Sequence, residues 1–147
     1  MKKRLRRNAG FSLIELLVVL VILGLLAGIV MPRLFGRGEE AKRVAAKVQI
    51  SILEDALQQY EVDVGSYPST EQGLDALVSE PTVGRVSSKW RAGGYLEKTA
   101  VPKDPWDNPY VYISPGNNGP FDLFSYGPDG EPGGEGGDAD ITNWEVD

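Results

Sequence analysis

Between Gly127 and Asp140 the chain reads Gly-Pro-Asp-Gly-Glu-Pro-Gly-Gly-Glu-Gly-Gly-Asp-Ala-Asp, six glycines interleaved with five carboxylates. Every donor this stretch can offer is an oxygen. That suits Ca²⁺, a hard ion that takes 6–8 oxygens from carboxylates and main-chain carbonyls, and glycines let a chain wrap closely around it. The spacing is not that of an EF-hand, because D-x-[DN]-x-[DN]-G is absent. The chain has no cysteine and no histidine, so zinc and softer metals lack ligands. The same absence removes disulfides, thiol nucleophiles and any Ser-His-Asp triad. An ordered loop so rich in glycine needs compensation for its entropy. Bound calcium is one reading, and a solvated acidic loop is the other.

The second residue out of place is Glu15, which stands alone in an otherwise apolar run from Phe11 to Met31. Twenty-one helical residues are about enough to cross a ~30 Å hydrocarbon core. Lys2, Lys3, Arg4, Arg6 and Arg7 precede the run, so the N-terminus stays cytoplasmic and the rest is exported. A secretory signal peptide fits poorly, since the run is long and no A-x-A site follows it. An uncleaved anchor is a second reading. The third rests on Gly10-Phe11-Ser12-Leu13-Ile14-Glu15, which resembles the processing site of type IV pilins and their relatives. That resemblance implies a cut between Gly10 and Phe11 by a prepilin peptidase, with methylation of the new Phe11 amine. A carboxylate in a membrane is expensive unless paired. Glu15 therefore finds either the amine of its own Phe11 or that of a neighbouring subunit, which would set the register of a filament; otherwise it snorkels to water.

These groups need elements to hold them. Pro32 kinks a helix but need not end it. Gly24 and Gly28 give either a close-packing face or a place to unwind. From Glu39 the pattern is amphipathic: Ala41, Val44, Ala45, Val48, Ile52, Ala56 and Tyr60 form a stripe that Leu53 and Leu57 widen. Gly65 is the stop. The helix from Phe11 to about Asp63 would run roughly 80 Å. Residues 70–79 read as a short helix capped by Ser69 or Thr70, with Leu74, Leu77 and Val78 inward. The prolines of Pro102-Lys103-Asp104-Pro105-Trp106-Asp107-Asn108-Pro109 mark turns. Strands are expected at 110–113, 121–126 and 141–144, the first two joined by a hairpin loop from Ser114 to Pro120. The fold class is thus α+β, a long N-terminal helix packed on a small antiparallel sheet. Its divisions are a leader at 1–10, an apolar helix at 11–32 and a head at 33–147. The globular part beyond Gly65 is small enough to need a staple.

Charge excludes one class of function. The formal −6 conceals +5 in residues 1–10, so the other 137 residues carry −11. From Asp104 onward there are ten acids and no Lys or Arg. Such a surface repels nucleic acid.

GSYPSTEQGLDALV, VPKDPWDNPYVY, SPGNNGPFDLFSYGPDG and GGEGGDADITNW together resemble the major pseudopilins of type II secretion systems, over nearly the whole chain. Asp107 departs from the pattern, standing where the family commonly has glycine, and the loop before Asp138 varies in length. The resemblance implies a subunit stored in the inner membrane with its head in the periplasm. It would polymerise into a helical filament with further copies and minor pseudopilins on an inner-membrane assembly platform. It also implies structural calcium, with Asp129 as one ligand, Asp138 or Asp140 as another, and the Tyr126 carbonyl in the shell. No constellation suggests an enzyme. An adhesive or motility type IV pilin is the alternative, but such pilins often carry a C-terminal disulfide that this chain cannot form.

Overall fold

The computed structural model describes residues 11–145, with residues 29–37 as backbone only. One helix, α1, runs Leu13–Val64. It continues through Pro32, whose missing N–H leaves only the Gly28 carbonyl without its helical donor. Gly65 ends it at φ 89°, donating its N–H to the Glu61 carbonyl at 2.7 Å. The chain forms two compact units, one ending at Gly38 and the other spanning Glu39–Asp147. In the first unit every described side chain from Phe11 to Gly28 is exposed. No helix is long and apolar enough to cross a membrane among the described residues. The expected span of 11–31 runs on into residues whose side chains lie outside that set.

The second unit is α+β. Strands β1 (Val111–Ile113), β2 (Asp122–Ser125) and β3 (Ile141–Thr142) form an antiparallel sheet in the order β1-β2-β3. Val111 pairs with Phe124, and Phe124 with Thr142. All three strands fall within the stretches expected of them. The β1–β2 hairpin closes on the buried Asp122, whose carboxylate accepts the N–H groups of Asn117 (2.8 Å) and Asn118 (3.0 Å). Gly116 is required here: a Cβ on it would stand 2.6 Å from an Asp122 carboxylate oxygen and from the Phe121 carbonyl carbon.

The core bears out Leu53, Ala56, Leu57 and Tyr60 of the stripe expected on α1 and corrects the rest. Ala46, Ile50, Leu53, Ala56, Leu57, Tyr60 and Val64 are buried, at steps of three and four. Val44, Val48 and Ile52, expected in the core, are 53%, 55% and 48% exposed, and Ala41 and Ala45 are exposed with them. Val48 and Leu57 lie nine residues apart, about two and a half turns, and so point to opposite sides. The helix carries two apolar faces, and the bulk of Leu53, Leu57 and Tyr60 decides which one the sheet covers. Tyr60 packs on Tyr95, with ring centroids 5.3 Å apart, and Tyr67 meets Phe121 edge-on at 4.9 Å. Asn143 ties sheet to helix, accepting the Leu123 N–H at 2.9 Å and donating to Glu54 at 3.1 Å.

The expected helix at 70–79 is only a turn followed by a 3₁₀ helix, Leu74–Leu77. Ser69 does cap: its hydroxyl accepts the Gln72 N–H (3.3 Å) while the Gln72 side chain accepts the Ser69 N–H (2.9 Å). This is a capping box. Gly73 at φ 61° then ends this turn and stands as the N-cap of the 3₁₀ helix. Leu74 and Leu77 are buried as expected, but Val78 is only half-buried.

Among the described residues two buried side-chain oxygens are unsatisfied, and one of them lies in the core. The Tyr110 hydroxyl is enclosed and has no hydrogen-bond partner. Burial pushes its phenol far above the usual range, and the nearby Asp104 carboxylate adds to the rise. Burial likewise raises Tyr112 to about 12, although its phenol hydrogen-bonds the Pro68 carbonyl at 2.8 Å. A phenol whose pKa is raised by folding contributes stability that is whole below the unfolded value near 10 and is lost as pH rises towards the folded value. Thermal melting should therefore fall steadily above pH 10. Tyr110→Phe, which removes a stranded hydroxyl, should stabilise the head at pH 7 by about 1 kcal/mol, roughly 4–8 °C in melting temperature, and should flatten the alkaline decline. A variant that melts below wild type at neutral pH would contradict this.

Candidate functional site

The acidic glycine loop connects β2 to β3 and folds back on itself. Asp140 donates its N–H to the Gly133 carbonyl at 3.1 Å, and its Oδ2 accepts the Gly133 N–H at 3.1 Å. The arms pack main chain to main chain: a Cβ on Gly134 would overlap the Asp138 carbonyl, which only glycine avoids. Arg43 of α1 clamps the loop from outside, its Nη1 donating to the Ala139 carbonyl at 2.7 Å and the Gly137 carbonyl at 3.0 Å.

The expected ligands are not equivalent. Asp129 and Asp138 are exposed. Asp129 Oδ1 accepts the Glu131 N–H at 3.2 Å, and Asp138 closes the short 3₁₀ turn Gly136–Asp138. Tyr126 is half-buried, its ring edge-on to Phe124 at 5.4 Å. Asp140 is turned inward, and its Oδ1 is buried with no partner. A buried carboxylate oxygen with nothing to accept is costly. Three acidic side chains do not converge anywhere among the described residues. A cation here would thus take one inward carboxylate and complete its shell with carbonyls and the flanking acids. That oxygen-only set fits calcium.

At the other end, Ser12 and Glu15 form a second capping box: the Glu15 carboxylate accepts the Ser12 N–H at 3.3 Å, and the Ser12 hydroxyl accepts the Glu15 N–H at 3.2 Å. Glu15 thus already has a local partner at the start of α1. Gly10 lies outside the described residues.

Sequence reasoning missed Arg43 and the buried Asp104. Asp104 Oδ1 accepts the N–H groups of Trp106 (3.0 Å) and Asn108 (2.8 Å), and its Oδ2 accepts the Ser125 hydroxyl at 2.6 Å. Ser125 in turn accepts the N–H of Gly127, the first residue of the acidic loop, at 3.0 Å. Asp-Pro-Trp-Asp-Asn is a recognisable side-chain-to-backbone turn signal; Arg43 had no local signal, since its partners lie more than ninety residues away.

The family described as Type II secretion system (T2SS), protein G matches residues 33–144. The chain belongs to the protein G family, the major pseudopilins. The prokaryotic N-terminal methylation motif matches residues 5–31. Type II secretion system core protein G of Pseudomonas aeruginosa is 50% identical over 140 residues, covering 95% of this chain and 97% of that protein. The core protein G of Vibrio cholerae is 48% identical over 144 residues, covering 98% and 97%. The crystal structure of the major pseudopilin from the type 2 secretion system of enterohaemorrhagic Escherichia coli superposes with a TM-score of 0.67 at 41% identity, covering 76% of this chain and 89% of that one. These protein G relatives are named as secretion-system components, and the chain is a structural subunit, not an enzyme.

Within the protein G fold, Asp107 carries a backbone cost. It sits at φ 72°, the only non-glycine residue at positive φ among the described residues. Its salt bridge to Lys103 at 3.0 Å is exposed and contributes little. Asp107→Gly should relieve the left-handed strain and raise the melting temperature by roughly 2–4 °C. Calorimetry showing a fall instead would mean that the Lys103 contact outweighs the strain.

Proposed function

We propose that the chain is cut between Gly10 and Phe11, methylated on the Phe11 amine, and stored in the inner membrane by the apolar part of α1. It then polymerises, with minor pseudopilins and on the assembly platform, into a periplasmic pseudopilus that drives folded proteins across the outer membrane. The observation that carries this is the pairing, on one chain, of the methylation motif over residues 5–31 with the protein G head over 33–144. In this reading the capping box holds Glu15 until assembly presents an incoming amine. Glu15→Ala should leave membrane insertion intact and block filament formation. Intact-mass measurement in the native host should find a mature chain beginning at methylated Phe11; a retained Met1 would refute the processing step.

We also propose that the Gly127–Asp140 loop holds structural calcium. The unpartnered, buried Asp140 Oδ1 supports it. Asp140 would hold the ion with loop carbonyls such as that of Tyr126. Asp129 and Asp138, the other expected ligands, do not converge with it among the described residues and would have to close on the ion as it binds. The ion when bound would supply a cross-link between the loop's arms. Arg43 keeps the Gly137 and Ala139 carbonyls engaged and so positions the loop against α1.

A further inference from the structure

We propose that Asn118 and Gly119, in the loop between β1 and β2, form a self-modification site. The Asn118 side-chain amide converts to aspartate or isoaspartate, without an enzyme and with water as the co-reactant. The change sets a new carboxylate against the buried anchor of the hairpin. It is independent of the pseudopilus reading.

The sequence supplies the reactive pair. The chain has five asparagines, and only Asn118 precedes a glycine. An asparagine amide is thermolabile, because the main-chain nitrogen of the next residue can attack its carbon. Glycine, with no Cβ, lets that nitrogen come closest. Asn108 precedes Pro109, which has no N–H to lose. Asn143 precedes Trp144, and both ends of its side chain are held, by the Leu123 N–H at 2.9 Å and by Glu54 at 3.1 Å.

The fold leaves the pair free to react. Both residues are exposed. Neither the Gly119 N–H nor Asn118 Oδ1 makes a hydrogen bond among the described residues. The Asn118 side chain has one restraint, a 3.3 Å hydrogen bond from its Nδ2 to Asp122 Oδ2. A Cβ on Gly119 would meet nothing nearer than the Phe121 carbonyl oxygen at 3.7 Å, so the main chain has room to move.

In the step itself, the Gly119 N–H gives its proton to hydroxide, and the nitrogen bonds to Asn118 Cγ. The Cγ–Nδ2 bond breaks, and ammonia leaves with a proton returned by water. One water then opens the five-membered imide. Opening at Cγ restores the ordinary main chain as aspartate. Opening at the main-chain carbonyl routes the chain through the former side chain, as isoaspartate. One water is consumed and one ammonia released, with no change of oxidation state.

The product lands on a sensitive point. Asp122 is 2% exposed, and its carboxylate gathers the Asn117 and Asn118 N–H groups as well as Asn118 Nδ2. Conversion exchanges that Nδ2 donor for an acceptor with the same charge as Asp122, and like charges this close disfavour each other. Isoaspartate also adds a methylene to the main chain of a turn with no slack, where a Cβ on Gly116 would stand 2.6 Å from Asp122 Oδ1. β1 and β2 share three residue pairs against two for β2 and β3, so loosening this hairpin loosens the larger part of the sheet. An aged head therefore carries one more negative charge and a weaker β1–β2 closure.

Folded full-length chain in detergent is incubated in two buffers one pH unit apart, and peptide mapping then reads each asparagine. Conversion should appear at Asn118 as both products, and should rise severalfold in the more alkaline buffer. Incubation in ¹⁸O-water should place one heavy oxygen in each converted residue. Gly119→Ala and Asn118→Gln should convert at least tenfold more slowly at position 118 while melting as wild type does. Asn118→Asp, the product of one branch, should melt roughly 4–8 °C below wild type. Conversion no faster at Asn118 than at Asn143 in the same wild-type sample overturns the site, and that comparison needs no variant to fold. A folded Gly119→Ala chain converting within twofold of the wild-type rate overturns it as well. Asn118→Asp melting with wild type overturns the effect on the hairpin.

Discussion

Replacing Asp140 with asparagine should abolish the calcium-dependent part of the protein's thermal stability. Asparagine keeps the shape of the side chain and an oxygen for the Gly133 N–H, but withdraws the charge that the orphaned Oδ1 offers a cation. For wild type, calcium at 100–1,000 times its dissociation constant stabilises by about 2.7–4.1 kcal/mol, which for a domain of this size is roughly 10–20 °C in melting temperature. Chelator should remove all of that increment. In chelator the asparagine variant should melt no lower than wild type, since it no longer buries an unpaired charged oxygen. The two proteins should thus exchange order between calcium and chelator, an outcome that general destabilisation cannot produce. Glu131→Gln, which neutralises an acid of the same loop that faces solvent, should retain most of the increment. Wild type melting identically in calcium and in chelator would remove the metal from the account of this loop.

What the sequence discloses and what it withholds divide along a physical line. Signals that are local in the chain were legible. The hairpin between β1 and β2, the stop at Gly65 and the strand positions all follow from turn chemistry and period-2 patterning within a few residues. The inward turn of Asp140, as against the exposed Asp129 and Asp138, was not legible, because all three share the same glycine-rich composition and only the closed main chain tells them apart. The face of α1 was misread in part, at Ala41, Val44, Ala45, Val48 and Ile52, for a related reason. Val44, Val48 and Ile52 have as good a helical period as Ile50, Leu53 and Leu57. Periodicity reports that a face is apolar, not what covers it. A helix of a free-standing domain would have little use for the second stripe, so the misreading itself carries information. Residues 70–79 failed through glycine: the capping box at Ser69 closes a turn, and the positive φ of Gly73 separates that turn from the 3₁₀ helix after it.

Asp104→Ala should be the most damaging single change in the head. The residue is 5% exposed, and its carboxylate accepts two backbone N–H groups and one hydroxyl. Truncation strands three donors, each worth about 1–3 kcal/mol when left buried and unpaired. They share one acceptor group and do not add fully, so the expected loss is about 3–5 kcal/mol, a large part of the 5–15 kcal/mol typical of a whole domain. The damage should also spread. Ser125, freed from Asp104, no longer holds a fixed orientation for the Gly127 N–H, and Gly127 opens the acidic loop. Asp104→Ala should therefore weaken calcium's stabilising effect from a site outside the loop. Asp104→Asn keeps an acceptor for the Trp106 and Asn108 N–H groups but turns a donor towards the Ser125 hydroxyl, and should cost about half as much. Combining Asp104→Ala with Ser125→Ala separates the two roles. If the carboxylate acts through Ser125, the double variant should be more stable than the sum of the single losses predicts, by about 1–2 kcal/mol. Strict additivity in chemical denaturation would mean that the turn around Trp106 and the entry to the loop are held independently, and an Asp104→Ala protein melting within 2 °C of wild type would show that neither depends on this carboxylate.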